Sequence, residues 1–430
     1  MTNSLRGIFD SHIVRKSKSL AGISSKFWSA IIILLIISVA LENFKLFDLA
    51  GAPFKVTHIV FAIGIVYGFF TTKIKPKQFV LFLLFIALPL LPLYRINDKL
   101  EWFKSYAIYL LIVLFTFFCF KQIVKEFTRK KWFFTKWFLL ITSICEILGI
   151  VQFITVNFLG IDFLNGIFGS FEFHPTMTSI SNGFTRSYSL FHEPSVLGWV
   201  TISSLVVVLL SRHCFKKTRT FWLLFALNLL SVFASMSFLA LAEAIIILLV
   251  YQFIKTKNKT IILLSVVGFL IAFLILYFFT PIFSGISRIS EINRESSSGY
   301  ERLISPINYV ISTFRHYPLF GRGLGQEGDV DLVGTIGIYE GINNSIFGLL
   351  ANFGLSALVI VFFVFAVFGR CLKQNKAWVL IIFCLFAIYV STGAYISLDT
   401  FIFVVLLFSF GKAFCLKKQL FVKRKGKYLC

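Results

Sequence analysis

Apolar and polar positions alternate along this chain in long blocks rather than in short periods. Apolar runs of about 16 to 22 residues recur from one end to the other, each close to the roughly 20 residues that carry a helix across a bilayer. Read as spans, they fall at 27–43, 56–72, 78–95, 104–121, 137–158, 190–210, 220–235, 237–254, 261–280, 344–368, 377–393 and 398–415. The pattern predicts an all-α polytopic membrane helix bundle of about twelve transmembrane helices, a single domain over 1–430. The seventh and eighth spans share one apolar stretch, interrupted only by Ser235-Met236-Ser237. Two connectors are long, 159–189 and 281–343, and long loops in a compact bundle usually carry function. In the second, Leu303, Ile307, Val310, Ile311 and Phe314 follow Arg302 at helical spacing. That spacing predicts an amphipathic helix in the membrane interface, closed by HYPLFGRGLG, where Pro318 and three glycines force a tight turn.

Composition supports the same class. The chain is 58% hydrophobic and 14% charged, against about 25% charge for a soluble domain. The net charge of +23 raises nucleic acid as a partner, but its distribution argues against one. Lys and Arg gather in alternate connectors, at 6–26, 73–77, 121–136, 212–219, 255–259, 370–376 and 412–427. By the positive-inside rule those connectors and both termini are cytoplasmic, and the two long loops are external. No cleavable signal peptide is expected, because the first apolar run leads on without a small-residue cleavage site. The seven cysteines fall in spans or on the cytoplasmic side, so no disulfide framework is implied.

The external loops carry Arg186, Arg288, Arg294, Arg302, Arg315 and Arg322, and no lysine. Topology needs no such bias, whereas the planar guanidinium fork suits bidentate grip on phosphate. The plainer alternative is pairing with nearby acids such as Glu172, Glu291 and Glu301. At the outer end of the sixth span, Arg186, His192 and Glu193 stand together ahead of Pro194. Proline suits a first helical turn and an acid there complements the helix dipole, so His192 and Glu193 could simply start a helix. Arg186 lies too far upstream to cap it. His316, beside Arg315, has a similar choice between substrate contact and structural hydrogen bonding. Glu146, Glu243, His58 and Gln152 lie inside spans, where polar groups suggest function and keep a transporter reading open. Asp329-Val330-Asp331 has the form of a metal-binding Asp-x-Asp, but on the external side, where nucleotide sugars are absent, it reads as loop chemistry. No phosphate-binding glycine loop and no His/Cys cluster is present, so neither cofactor nor metal is expected.

Three segments resemble the bacterial O-antigen polymerase and ligase family of the cell envelope. They are RSYSLFHEPSVLG at 186–198, RLISPINYVISTFRHYPLFGRGLG at 302–325 and NNSIFGLLANFGLSAL at 343–358. Their order and their placement relative to the late large loop carry the resemblance. It implies a membrane glycosyltransferase of polysaccharide or lipopolysaccharide biosynthesis, acting without metal on undecaprenyl-diphosphate-linked glycans at the external face of the inner membrane. Arg186 and Arg302 would bind the donor diphosphate and Glu193 would take the proton of the acceptor hydroxyl. His192, Arg288, Arg315, His316, Asn343 and Asn344 would contact substrate. Membrane lipids are implied partners, with a chain-length regulator as a further candidate. Ligases of the family have histidine where this chain has Asn343, and asparagine cannot serve as a base. That departure favours a polymerase over a ligase. A lipid-linked oligosaccharide flippase is the remaining alternative, with Glu146 and Glu243 as its key charges.

Overall fold

The computed structural model describes residues 23–49, 52–164, 185–256, 304–326, 344–391 and 396–415, with isolated positions at 260, 267 and 268. It is mostly helical. The first helix, α1, runs Ile23–Ala40. A short antiparallel hairpin follows, β1 (Lys45–Leu49) and β2 (Ala52–Lys55), then α2 (Val56–Thr71), α3 (Pro76–Ala87) and α4 (Lys99–Phe118). Next come α5 (Phe120–Arg129), α6 (Lys131–Leu159), α7 (Pro194–Leu210), α8 (Thr218–Ser235) and α9 (Phe238–Lys255). The described chain resumes with α10 (Ser305–His316), α11 (Ser345–Phe353), α12 (Ala357–Gln374), α13 (Trp378–Ser391) and α14 (Leu398–Phe414).

Eleven of the twelve expected spans coincide with these helices, shifted by a few residues at their ends; the ninth, 261–280, lies outside the described residues. Six helices among the described residues are long and apolar enough to cross a membrane, and Val56–Thr71, Pro194–Leu210 and Trp378–Val390 are shorter apolar ones. The Ser-Met-Ser break is real. Helix α8 stops at Ser235, Met236 takes a left-handed φ of 43°, and the Ser237 hydroxyl caps α9 by accepting the Ala240 amide at 3.4 Å. The expected tenth span is also broken. Gly354, at φ 55°, separates α11 from α12, and a Cβ there would lie 2.6 Å from the Pro318 carbonyl oxygen.

Two helices form the centre. Helix α7 is buried from Pro194 through Leu209, and α14 is buried around most of its circumference. Both are apolar on all faces, as a helix enclosed by other helices must be. Close approach rests on small residues: a Cβ on Gly198 of α7 would sit 2.7 Å from the Ala240 Cβ of α9.

The helix ends define two ends of the bundle. At one, the hairpin meets the starts of α2, α7 and α14. At the other lie the described lysine-rich connectors 73–77, 121–136, 212–219 and 370–376. There the amphipathic α5 is held to α1 by Glu126, which accepts from Ser25 at 2.8 Å and Ser29 at 2.9 Å and pairs with Lys130 at 3.0 Å. Burial raises the pKa of Glu126, but these hydroxyl and ammonium donors outweigh it and hold the group below the usual carboxylate value.

The helix expected from Arg302 begins at Ser305; Arg302 and Leu303 lie outside the described residues. Its buried face is Ser305, Pro306, Tyr309, Ser312 and Thr313, packed on α11. Ile307 and Ile311 are 41% and 46% exposed, so the apolar stripe faces outward, as an interfacial helix requires.

Candidate functional site

The segment before α7 is held by its backbone. The Gln152 carboxamide oxygen on α6 accepts three hydrogen bonds, from the Ser187 hydroxyl at 3.0 Å and the Tyr188 and Ser189 amides at 3.1 and 2.9 Å. Ser189 sits at φ 56°, a left-handed conformation that costs a non-glycine residue about 1 kcal/mol or more. Its hydroxyl donates to the Cys145 carbonyl at 2.7 Å. The Ser187 amide donates to the Ala234 carbonyl at 3.0 Å, tying the segment to the α8–α9 turn. Gln152, a suspect as a polar residue at membrane depth, is thus the hub that shapes this segment. His58 has a similarly local task, its Nδ1 accepting the Lys55 amide at 3.1 Å at the start of α2.

Within this frame the half-buried Arg186 donates through Nε to the Ser235 carbonyl at 3.3 Å. Glu193 occupies the N-cap position of α7 with Pro194 following, as a helix start would have it. Its carboxylate, however, does not cap the helix; it accepts from the Ser195 hydroxyl at 2.7 Å. His192 turns the other way, its Nδ1 3.0 Å from the Glu42 carboxylate.

Glu42 opens a row of charges that the sequence reading missed. Its other oxygen lies 3.6 Å from the Lys55 ammonium, which donates to Asp399 at 2.8 Å. The signal was faint: each is a single charge at the end of an apolar run, distant in sequence from the others. Burial opposes charge on His192, but the hydrogen bond and charge of Glu42, with the charge of Glu193, hold its pKa above the ordinary imidazole value. Burial likewise raises Glu42, and His192 and Lys55 outweigh it, keeping the carboxyl below its usual range. Lys55 is held above the usual ammonium value, because Asp399 and Glu42 outweigh its burial.

The other expected contact residues are distributed differently. Arg315 and His316 are exposed at the end of α10, with His316 Nδ1 3.0 Å from the Ser312 carbonyl. Asn344 is buried and caps α11, its side-chain oxygen accepting the Ile346 and Phe347 amides at 3.1 and 3.3 Å. Arg288, Arg302 and Asn343 lie outside the described residues, as do Arg294, Asp329 and Asp331. Arg322 is placed differently from the exposed Arg315. It is 5% exposed, bonds the Tyr309 hydroxyl and the Gln326 carbonyl, and lies over the Tyr309 ring. Glu146 and Glu243 are buried in the bundle, Glu146 beside Ser204.

The fold is that of a polytopic helical membrane protein, and titratable groups gather where several of its helix ends meet. Within that class, the chain belongs to the WcaD colanic acid polymerase family, whose model matches residues 30–413. It is a polysaccharide polymerase, a glycosyltransferase-type enzyme integral to a membrane. The matched range takes in all three segments on which the polymerase resemblance rested. No curated protein matches the chain.

Proposed function

We propose that this polymerase transfers a glycan from undecaprenyl diphosphate to the terminal sugar of another lipid-linked repeat unit, at the hairpin end of the bundle, which is the external one. The described lysine-rich connectors, 73–77, 121–136, 212–219 and 370–376, lie at the opposite end, which supports a cytoplasmic assignment for that end, both termini and an inner-membrane location. The observation that carries the reading is the head of α7, where Arg186, His192 and Glu193 sit on a backbone fixed by Gln152 and the α8–α9 turn.

In the proposed reaction the acceptor oxygen attacks the anomeric carbon of the donor sugar. The bond to the diphosphate breaks and its electron pair leaves with the phosphate oxygen. Arg186, with Arg302, binds that diphosphate, whose developing charge arginine can stabilise without a metal. The acceptor hydroxyl, far too weak an acid to ionise alone, gives its proton to one of the neighbouring pair, the Glu193 carboxylate or the His192 imidazole. Membrane lipids and a chain-length regulator are the proposed partners.

The test is polymerisation by purified protein given a purified lipid-linked repeat unit. Growth of a ladder supports the reading; capture of the unit without chain growth points to a flippase, the alternative that the buried Glu146 and Glu243 favour. Transfer only to a lipid A-type acceptor marks a ligase.

A further inference from the structure

At the hairpin end four charged groups from four separate pieces of chain form one row. Asp399 begins α14, Lys55 ends β2, Glu42 follows α1, and His192 precedes α7. Contacts of 2.8, 3.6 and 3.0 Å join them in that order, and their signs alternate when His192 carries its second proton. The row also runs from covered to open: the Glu42 side chain is 13% exposed and that of His192 42%. A simple staple between helices needs no imidazole at its open end, because a neutral ring gives up most of the attraction. An imidazole held through one nitrogen by a carboxylate, with its side chain partly exposed, has the arrangement of an oriented proton acceptor.

We propose that Glu42 is a positioning residue of the polymerase: anchored through Lys55 to Asp399, it orients His192 as the group that takes the acceptor proton. This rests on the reading of the α7 head as the transfer site and selects, within the pair named there, the imidazole over the carboxylate. Glu42 Oε2 accepts the Nδ1 proton, so the second ring nitrogen, Nε2, is the one that receives the hydroxyl proton as the sugar oxygen bonds to the anomeric carbon. The charges facing the ring are Glu42 and Glu193, which favour the imidazolium that forms, and Lys55, which opposes it but is itself engaged by Asp399. Glu193 follows in sequence and supplies charge rather than proton transfer. An imidazole is also a stronger base than an ordinary carboxylate and so better matched to taking a hydroxyl proton.

The experiment measures kcat and KM against pH for purified full-length enzyme with a purified lipid-linked repeat unit. The wild type loses activity on the acid side as His192 protonates. Glu42→Gln removes the group that favours the imidazolium, so its acid limb moves to lower pH. Its kcat falls about 100-fold, because general base catalysis contributes on this scale, while KM changes little. Glu42→Asp keeps the charge and regains most of the wild-type profile. Adding Glu42→Gln to His192→Gln costs little further, since the two act as a unit. An acid limb unmoved in Glu42→Gln, with only the yield of folded protein reduced, makes Glu42 a staple and overturns the proposal. If Glu42→Gln does not accumulate, Lys55→Met reads the same anchor: Glu42 loses its hold, so kcat per folded molecule must fall while KM changes little, and an unchanged kcat overturns the proposal. Abolition by Glu193→Gln with an unmoved limb in Glu42→Gln makes Glu193 the base, leaving the transfer site standing without this inference. Wild-type ladders from both His192→Gln and Glu193→Gln remove the transfer site itself.

Discussion

Two arginine-bearing segments meet the same end of this molecule and are used in opposite ways. Ahead of α7, the backbone of 187–189 is held by Gln152 and the carbonyl of Ala234, and Arg186, His192 and Glu193 stay half-buried at the surface of the bundle. After α10, the chain from Tyr317 to Gln326 is held in part by Arg322 itself, through Tyr309 and Gln326, while Arg322 and Gly323 amides donate to the carbonyls of Ala351 and Asn352. In the first segment other groups hold the backbone, and the three side chains keep part of their surface exposed. In the second the arginine side chain is itself part of the support. Motif resemblance could not separate the two arginines; burial and partners do.

The largest effect expected from this contrast is at Arg186. Arg186→Lys keeps the charge and loses the fork, so a diphosphate clamp should lose about 2 to 4 kcal/mol, roughly 30- to 1,000-fold in rate. Polymer length distribution at matched expression measures it, and a near-wild-type ladder breaks the comparison on its functional side. Arg322→Met should do the reverse. Losing charge-assisted hydrogen bonds in a buried site costs about 2 to 3 kcal/mol of stability. It should appear as a lower unfolding temperature in detergent, with turnover per folded molecule retained; full stability with lost turnover would reverse the assignment.

Asn344→Ala sharpens the same distinction for a residue with a double claim. Loss of the α11 cap costs about 0.5 to 2 kcal/mol, read by thermal unfolding. A rise in KM beyond that loss of folded protein gives Asn344 a substrate contact as well. The smallest effect is expected from chelation. If arginines alone stabilise the leaving group, chelator leaves purified activity within about a factor of two. A large loss reversed by magnesium would bring Asp329 and Asp331 back as ligands.

The spans were legible because membrane depth writes itself as apolar length, which a single sequence displays. The broken stretch at Ser235-Met236-Ser237 was legible for the same reason, as polar residues in an apolar run. The hairpin was not: Leu46, Phe47 and Leu49 are apolar yet exposed, and five-residue strands carry too little periodicity to stand out. The head of α7 was visible as a local motif, since Arg186, His192 and Glu193 lie within eight residues of one another in sequence. Glu42, Lys55 and Asp399 were not, because nothing in their neighbourhoods distinguishes them from solvated charges at span ends. Only the packing of α14 against α2 and α7 brings them together.

The Lys55–Asp399 contact joins residues 344 positions apart, and that distance has a meaning in time. At about 5 to 20 residues per second, a ribosome needs roughly 20 to 70 s to make the chain between them. Through that interval Lys55 waits at the membrane surface without its closest counter-charge, and Glu42 has only part of its final company. The row of charges reaching His192 therefore closes only after α14, the last described helix, has been synthesised. A chain cut short before α14 would carry the whole α7 motif and still lack its anchored form. If the row orients His192 as proposed, polymerase activity follows only once α14 is in place.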